Sequence, residues 1–253
     1  MSDIKLYNND CLEIMKQIPD NSVDLIVCDG PYGVTEKSWD KIKSIQEFNL
    51  NLIKIFSKIL KKGGSLYLFG KDNCIDFIDY RDYLQLNRKI IWYQPSRLAQ
   101  GRLNYTNNYD MIVYFSKGKP NTFNLDDIRI KQLVDEKQRK RVEKVPSVVN
   151  GEFSKTKYNE NGKNPGDVWT DIKQLTYKSK ELISRDLLHT IQKPKKLIER
   201  IVKASSNEND IILDPFMGSG TTGVVCKELN RNFIGIEFDK KIFNLAKERI
   251  NGN

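Results

Sequence analysis

Two apolar, β-branched runs at opposite ends of the chain, Val23–Cys28 and Ile211–Leu213, each break off into a short segment of unusual residues. The first runs into Asp29-Gly30-Pro31-Tyr32. The second runs into Asp214-Pro215-Phe216-Met217-Gly218-Ser219-Gly220-Thr221-Thr222-Gly223. Runs of this kind read as buried strands. In an open parallel sheet, ligands bind where such strands end. One segment offers a carboxylate and an aromatic ring, the other a glycine turn opening a helix. Together they are suited to hold a planar polar substrate and a nucleoside cofactor face to face.

The stretches between support the same architecture. From Ser44 to Leu60, Ile45, Phe48, Leu52, Ile55, Phe56, Ile59 and Leu60 recur at intervals of three and four, one face of an amphipathic helix. Lys61-Lys62-Gly63-Gly64 reads as its close, with cations at the negative helix end and glycine beyond. A strand over Ser65–Phe69 should follow. Further strands are expected at Lys89–Tyr93, Met111–Phe115 and Phe233–Glu237, with helices over Pro194–Ala204, Ser219–Leu229 and Lys240–Ile250. Alternating strands and helices with short joints predict a doubly wound, mostly parallel α/β sheet. Between Lys119 and Asp167 the pattern dissolves into polar sequence with the basic run Lys137-Gln138-Arg139-Lys140-Arg141. This reads as an insertion at 119–167 into one catalytic domain formed by 1–118 and 168–253.

At the glycine turn, Gly218-Ser219-Gly220-Thr221-Thr222-Gly223 fits G-x-G-x-x-G, and Glu237 closes the next strand. The glycines let backbone approach a ligand, and an acid at the next strand end can accept hydrogen bonds from ribose hydroxyls. A phosphate-binding loop would need Lys then Ser or Thr after the last glycine, and this chain has Val224-Val225. NAD calls for a second nucleotide-binding half, and only a helix follows Glu237. S-adenosylmethionine needs one half and is the expected cofactor.

At the other segment, Pro31 fixes the turn. A carboxylate and a main-chain carbonyl pointing the same way can accept both N–H bonds of an exocyclic amine, while Tyr32 stacks on the ring that carries it. An adenine amino nitrogen is a poor nucleophile because its lone pair is delocalised into the ring. Two acceptors on its protons favour a tetrahedral nitrogen whose lone pair can attack a sulfonium methyl.

In these motifs the chain resembles the β-class amino-methylating DNA methyltransferases, a permuted group in which the catalytic tetrapeptide precedes the cofactor motif. The resemblance also runs through Asn9 to Leu12, Ser22 to Ile26, Lys61 to Gly64, Ile90 to Trp92, Tyr109 to Ile112 and His189-Thr190-Ile191-Gln192-Lys193-Pro194. It implies the S-adenosylmethionine-dependent methyltransferase fold with 119–167 as its target-recognition region. Asp29, Gly30, Pro31 and Tyr32 carry over as catalytic. Asp214, Phe216, Gly218, Gly220 and Thr222 carry over as cofactor-binding, with Glu237 the ribose acid. Asp10 and Cys11 fall near the cofactor's adenine, Lys193 and Thr221 near its methionine part. The family's usual tetrapeptide is Asp-Pro-Pro-Tyr. Gly30 keeps the backbone carbonyl and loses rigidity. Asp rather than Ser in the first position favours adenine N6 over cytosine N4.

Duplex DNA is the expected partner, and the base must be flipped out to be reached. The net charge of +9 suits a polyanion, although a chain rich in Lys, Asn and Ile carries such a charge for compositional reasons too. Within the insertion, Arg129, Arg139 and Arg141 are candidates for reading guanine. His189, the single histidine, has no nucleophile motif beside it and reads as structural or cofactor-side. Cys28 follows no proline, as carbon-5 cytosine methylation would require, and reads as a small buried residue. Scattered Cys11, Cys28, Cys74 and Cys226 predict free thiols and no metal. No stretch approaches the roughly 18 to 20 apolar residues of a membrane span, and no signal-peptide pattern opens the chain, so the cytoplasm is expected. An RNA substrate and a non-catalytic DNA-binding protein of the same fold stay as rivals. A homodimer and an accompanying restriction endonuclease stay open as partners.

Overall fold

The structure, a computed structural model, describes residues 2–33, 42–71, 78–95, 105–132, 146–149, 152–155, 159–176, 178–183 and 192–252. Its frame is an eight-stranded sheet: β1 (Ile4–Tyr7), β2 (Val23–Cys28), β3 (Leu60–Gly70), β4 (Gln85–Tyr93), β5 (Tyr109–Ser116), β8 (Val168–Trp169), β9 (Ile211–Asp214) and β10 (Asn232–Ile236). The strands lie in the order β1-β10-β9-β2-β3-β5-β4-β8. Only β5 pairs antiparallel to its neighbours. The expected doubly wound, mostly parallel sheet is observed.

β2 shows why its sequence is apolar without alternation. Val23, Ile26 and Cys28 enter the core on one face of the sheet, whereas Leu25 and Val27 enter the core on the other. A parallel strand between two helical layers has no polar side to offer. The first layer holds α1 (Cys11–Met15) and α2 (Ile45–Ile59), the latter through Leu52, Ile53, Phe56 and Ile59. The second holds α4 (Lys195–Ser205), α5 (Thr221–Glu228) and α6 (Lys240–Asn251), packed through Leu197, Ile201, Val225, Cys226, Ala246 and Ile250.

The end of α2 departs from expectation. Leu60 is already extended, and β3 starts there with no glycine cap between. Gly63 takes its positive φ of 79° inside the strand, where the register against β2 slips between Val23 and Leu25. The cations act elsewhere. Lys61 pairs with Asp24 at 2.8 Å, and it is Lys117 whose ammonium donates to the carbonyls of Lys58 and Leu60. The glycines therefore make a bulge that turns the helix directly into a strand.

Within 119–167, part of the chain packs on the sheet's own body. Asn124, just before the short helix α3 (Leu125–Ile128), donates to the carbonyls of Lys203 and Ser206 and so closes the end of α4. A separate hairpin, β6 (Pro146–Val149) with β7 (Glu152–Lys155), lies further on. Ile130 and Lys163 are paired by a bridge. The basic run 137–141 is outside the described residues, as is Cys74.

Candidate active site

β2 and β9 are hydrogen-bonded neighbours, Leu25 opposite Ile212 and Ile26 opposite Leu213, although they come from opposite ends of the chain. From β2 the chain passes through α2 to β3 on one side. From β9 it passes through α5 to β10 on the other. The point where the winding reverses is the place where such sheets form a ligand cleft. Topology therefore brings the Asp29 turn and the glycine turn to one sheet end.

The contact between the two turns is direct. A Cβ added to Gly30 would lie 3.1 Å from Cε2 of Phe216. Glycine here lets the phenyl ring lie against the backbone of the acidic turn, which gives the departure from proline a packing reason. The Tyr32 hydroxyl donates to Oδ1 of Asp29 at 2.6 Å, and the Lys193 ammonium pairs with Oδ2 at 2.7 Å. Lys193 is buried, with its charge 5.8 Å from the centre of the Tyr32 ring and 5.3 Å from that of Phe69. Expected beside the cofactor's methionine part, Lys193 has its ammonium on the Asp29 carboxylate.

The glycine turn is a braced structure. Asp214 accepts from the Phe216 amide at 3.1 Å and from the Thr222 hydroxyl at 2.6 Å, tying strand end to helix start. Burial raises its carboxyl to about 7, with the charges of Asp29 and Glu237 adding to the effect. Asp214 thus acts on the turn itself, with both oxygens engaged. Gly218 and Gly220 have φ of 48° and 75°, which side chains rarely adopt. The face of Gly218 is open, with no heavy atom nearer than 3.8 Å to an added Cβ, so backbone there is free to meet a ligand. Gly223 instead lies under Ile250 and Phe233, where a Cβ would clash at 2.5 and 2.8 Å. The Thr221 hydroxyl is buried and held by Arg249 at 2.9 Å, and it donates to the Lys193 carbonyl.

Glu237 sits just past β10. One oxygen accepts from the Gly218 amide and the other from the Asp239 amide, which leaves lone pairs for further donors. Burial raises its pKa. Asn8 donates to the carbonyls of Glu237 and Phe238, joining this acid to the turn that carries Asp10 and Cys11. Asp10 caps α1 through the Leu12 amide. Burial pushes the Cys11 thiol up to about 12, and the Cys28 thiol, fully buried, well above its usual value. Neither thiol is poised as a nucleophile.

Not every candidate reaches the cleft. Arg129 is engaged structurally, its guanidinium donating to Asp126 at 2.6 Å and to the Gly162 carbonyl at 3.1 Å, so it is not free to read a base. Arg139, Arg141 and His189 lie outside the described residues. Sequence reasoning missed Phe69, a strand residue whose ring meets a cation only in three dimensions. It also missed Arg249, which reaches from α6 to the Ser219 carbonyl at 3.0 Å and to Thr221. No spacing signal marks such a brace. Among the described residues no cluster of metal-ligating side chains is found and no helix is long and apolar enough to cross a membrane.

A family model described as DNA methylase, covering amino-methylating enzymes of the N6 and N4 type, matches residues 23–248. The chain belongs to this DNA methylase family. Among its relatives, the Type II methyltransferase M1.MboII of Moraxella bovis is 33% identical over 98% of this chain and 96% of that protein. The DNA adenine methyltransferase YhdJ of Escherichia coli K12 is 33% identical over 97% and 82%. Among solved structures, M1.HpyAVI superposes with a TM-score of 0.63 at 25% identity, covering 98% of both chains. PvuII DNA methyltransferase, described as cytosine-N4-specific, reaches 0.66 at 16% identity and bears on the fold alone.

Proposed function

We propose that this methylase transfers a methyl group from S-adenosylmethionine to adenine N6 within a specific duplex sequence. The observation that carries the reading is the shared cleft, where Asp29 and the Phe216 turn meet at adjoining strand ends. The donor set fits a nucleoside cofactor: an open backbone at Gly218 and an acid with spare lone pairs at Glu237. When bound, the cofactor supplies a sulfonium methyl. Phe216, Thr221 and Thr222 shape the turn that would hold it, and Asp10 and Cys11 stand on the side joined to Glu237.

The protein's own task is to receive an extruded base. Asp29, fixed by Tyr32 and Lys193, accepts one N–H of the exocyclic amine, and the backbone beyond it offers a carbonyl for the other. The lone pair so freed would take up the methyl that the bound sulfonium would supply, the sulfur leaving as a neutral thioether, and the methylated nitrogen would shed a proton to solvent. No covalent enzyme intermediate is needed. Adenine over cytosine rests on the aspartate of the tetrapeptide and on relatives such as YhdJ, described as an adenine methyltransferase. Site-specificity, and with it an accompanying endonuclease, rests on the relatives named as Type II methyltransferases.

Tritium from labelled cofactor should enter duplex DNA, and nucleoside analysis should find N6-methyladenine. Asp29→Ala should lower the rate by at least ~100-fold, because the amine loses its ionised acceptor. N4-methylcytosine in the product would correct the base, and full activity of Asp29→Ala would remove the acid from the mechanism.

A further inference from the structure

The ion pair between Lys193 and Asp29 is short and enclosed, yet it lies at the residue on which methyl transfer depends. Lys193 is 6% exposed, and the Asp29 side chain 26%. Burying an ammonium is costly without a partner. Among the described residues its charged partner is the Asp29 carboxylate, with the Tyr32 hydroxyl at 3.5 Å and the faces of Tyr32 and Phe69 beside it. The Lys193 backbone is fixed independently, its carbonyl accepting from Thr221 and the following residue, Pro194, capping α4. The ammonium is therefore delivered to Asp29 from the helical layer that also carries the glycine turn.

We infer that Lys193 is a positioning residue for the target amine, its buried ammonium holding the Asp29 carboxyl in place at the cleft. This rests on the proposed amine methylation. A carboxylate has about four lone-pair sites. Tyr32 uses one on Oδ1 and Lys193 one on Oδ2, which leaves each oxygen able to accept an N–H from the base. Among the described residues, the groups that face Asp29 are Tyr32 in its own turn, Cys28 and Asp214 from the neighbouring strand ends, and Lys193. Asp214 carries the same sign of charge as Asp29, and Lys193 is the cation that offsets it.

The test compares wild type, Lys193→Met and Lys193→Arg in three measurements: melting temperature, S-adenosylmethionine affinity, and single-turnover methyl transfer to duplex DNA between pH 6 and 9. Because Asp214 titrates in this range in every variant, the readout is the ratio of each variant to wild type. For Lys193→Met single-turnover transfer should fall by at least ~30-fold at every pH, because the Asp29 carboxyl loses the ammonium that fixes its Oδ2. Cofactor affinity should stay within about twofold, and Lys193→Arg should follow the wild-type profile, because a neighbouring cation of either kind meets the requirement. A loss confined to cofactor binding, a fall in transfer accounted for by unfolding at the assay temperature, or an arginine variant behaving as methionine would each overturn the assignment. Absence of methyl transfer by wild type would instead remove the enzymatic reading beneath it.

Discussion

At the scale of single residues, Asp214 shows how a site motif can be a structural device. Its carboxyl is buried, accepts two hydrogen bonds within its own turn, and is raised to about 7 by desolvation. A carboxyl raised in the folded protein binds its proton more tightly there than in the unfolded chain. Its contribution is full below pH 4 and is lost as pH rises through 7. Asp214→Asn removes this dependence while keeping an acceptor for the Phe216 amide and a polar partner for Thr222. Urea midpoints should show the asparagine variant gaining about 2–4 kcal/mol relative to wild type on going from pH 4 to pH 8. A difference between the two proteins that does not change with pH would show that Asp214 stays ionised throughout. The layout of the site was legible where a residue's place follows from the strand before it, as for Asp29, the glycines and Glu237, which stand at adjoining strand ends. It was not legible for Lys193, since nothing in Gln192-Lys193-Pro194 tells which of two nearby anionic groups an ammonium will meet.

Elements were legible according to how local their causes are. The expected strands Lys89–Tyr93 and Met111–Phe115 lie within Gln85–Tyr93 and Tyr109–Ser116, longer because cross-strand pairing carries each past its apolar core. The period of α2 is written in its own face, but its end is not. Lys-Lys-Gly-Gly has the composition of a helix cap, and only the approach of Lys117 and Asn121 makes it a bulge. The β6–β7 hairpin did carry a signal, Asn150-Gly151 between Val148-Val149 and Glu152-Phe153, the dipeptide that two-residue hairpin turns favour. The brace from α6 carried none. Arg249 donates from one nitrogen to the Ser219 carbonyl and the Thr221 hydroxyl, and so ties the last helix to the cofactor turn. Charge-assisted bonds of this kind contribute about 1.5–3 kcal/mol. Arg249→Met, which keeps the aliphatic packing, should weaken S-adenosylmethionine binding roughly tenfold, about 1.4 kcal/mol, in a calorimetric titration. Unchanged affinity with a lowered melting temperature would confine the arginine to stability.

Across the whole molecule, the central question is which part of the chain is catalytic body and which part reads DNA. The body begins to claim residues soon after Ser116: Asn121 donates to the Lys62 carbonyl, Asn124 closes α4, and Arg129 holds Gly162. At the far side, Trp169 donates to the Gly166 carbonyl, and Arg200 pairs with Asp171 while stacking on the Trp169 ring. Between these anchors, Ile130 and Lys163 exchange hydrogen bonds of 3.0 and 2.9 Å. The two ends of 131–162 are thus paired at one point, so that segment is not needed to connect distant places. We propose that the recognition role expected of 119–167 is carried by 131–162, which contains Lys137 to Arg141 and the β6–β7 hairpin. Closing a loop whose ends are already paired costs little, since loop entropy changes only slowly with length. Replacing residues 133–158 by a short glycine-serine linker should leave the melting temperature within a few degrees and S-adenosylmethionine affinity within about threefold, because the bridge and both anchors remain. Methylation at the preferred site should fall by at least ~100-fold, while weak methylation of single-stranded DNA, which needs no base extrusion, should persist. Loss of cofactor binding would place the segment in the body. Retained site preference would move recognition to residues elsewhere in the chain.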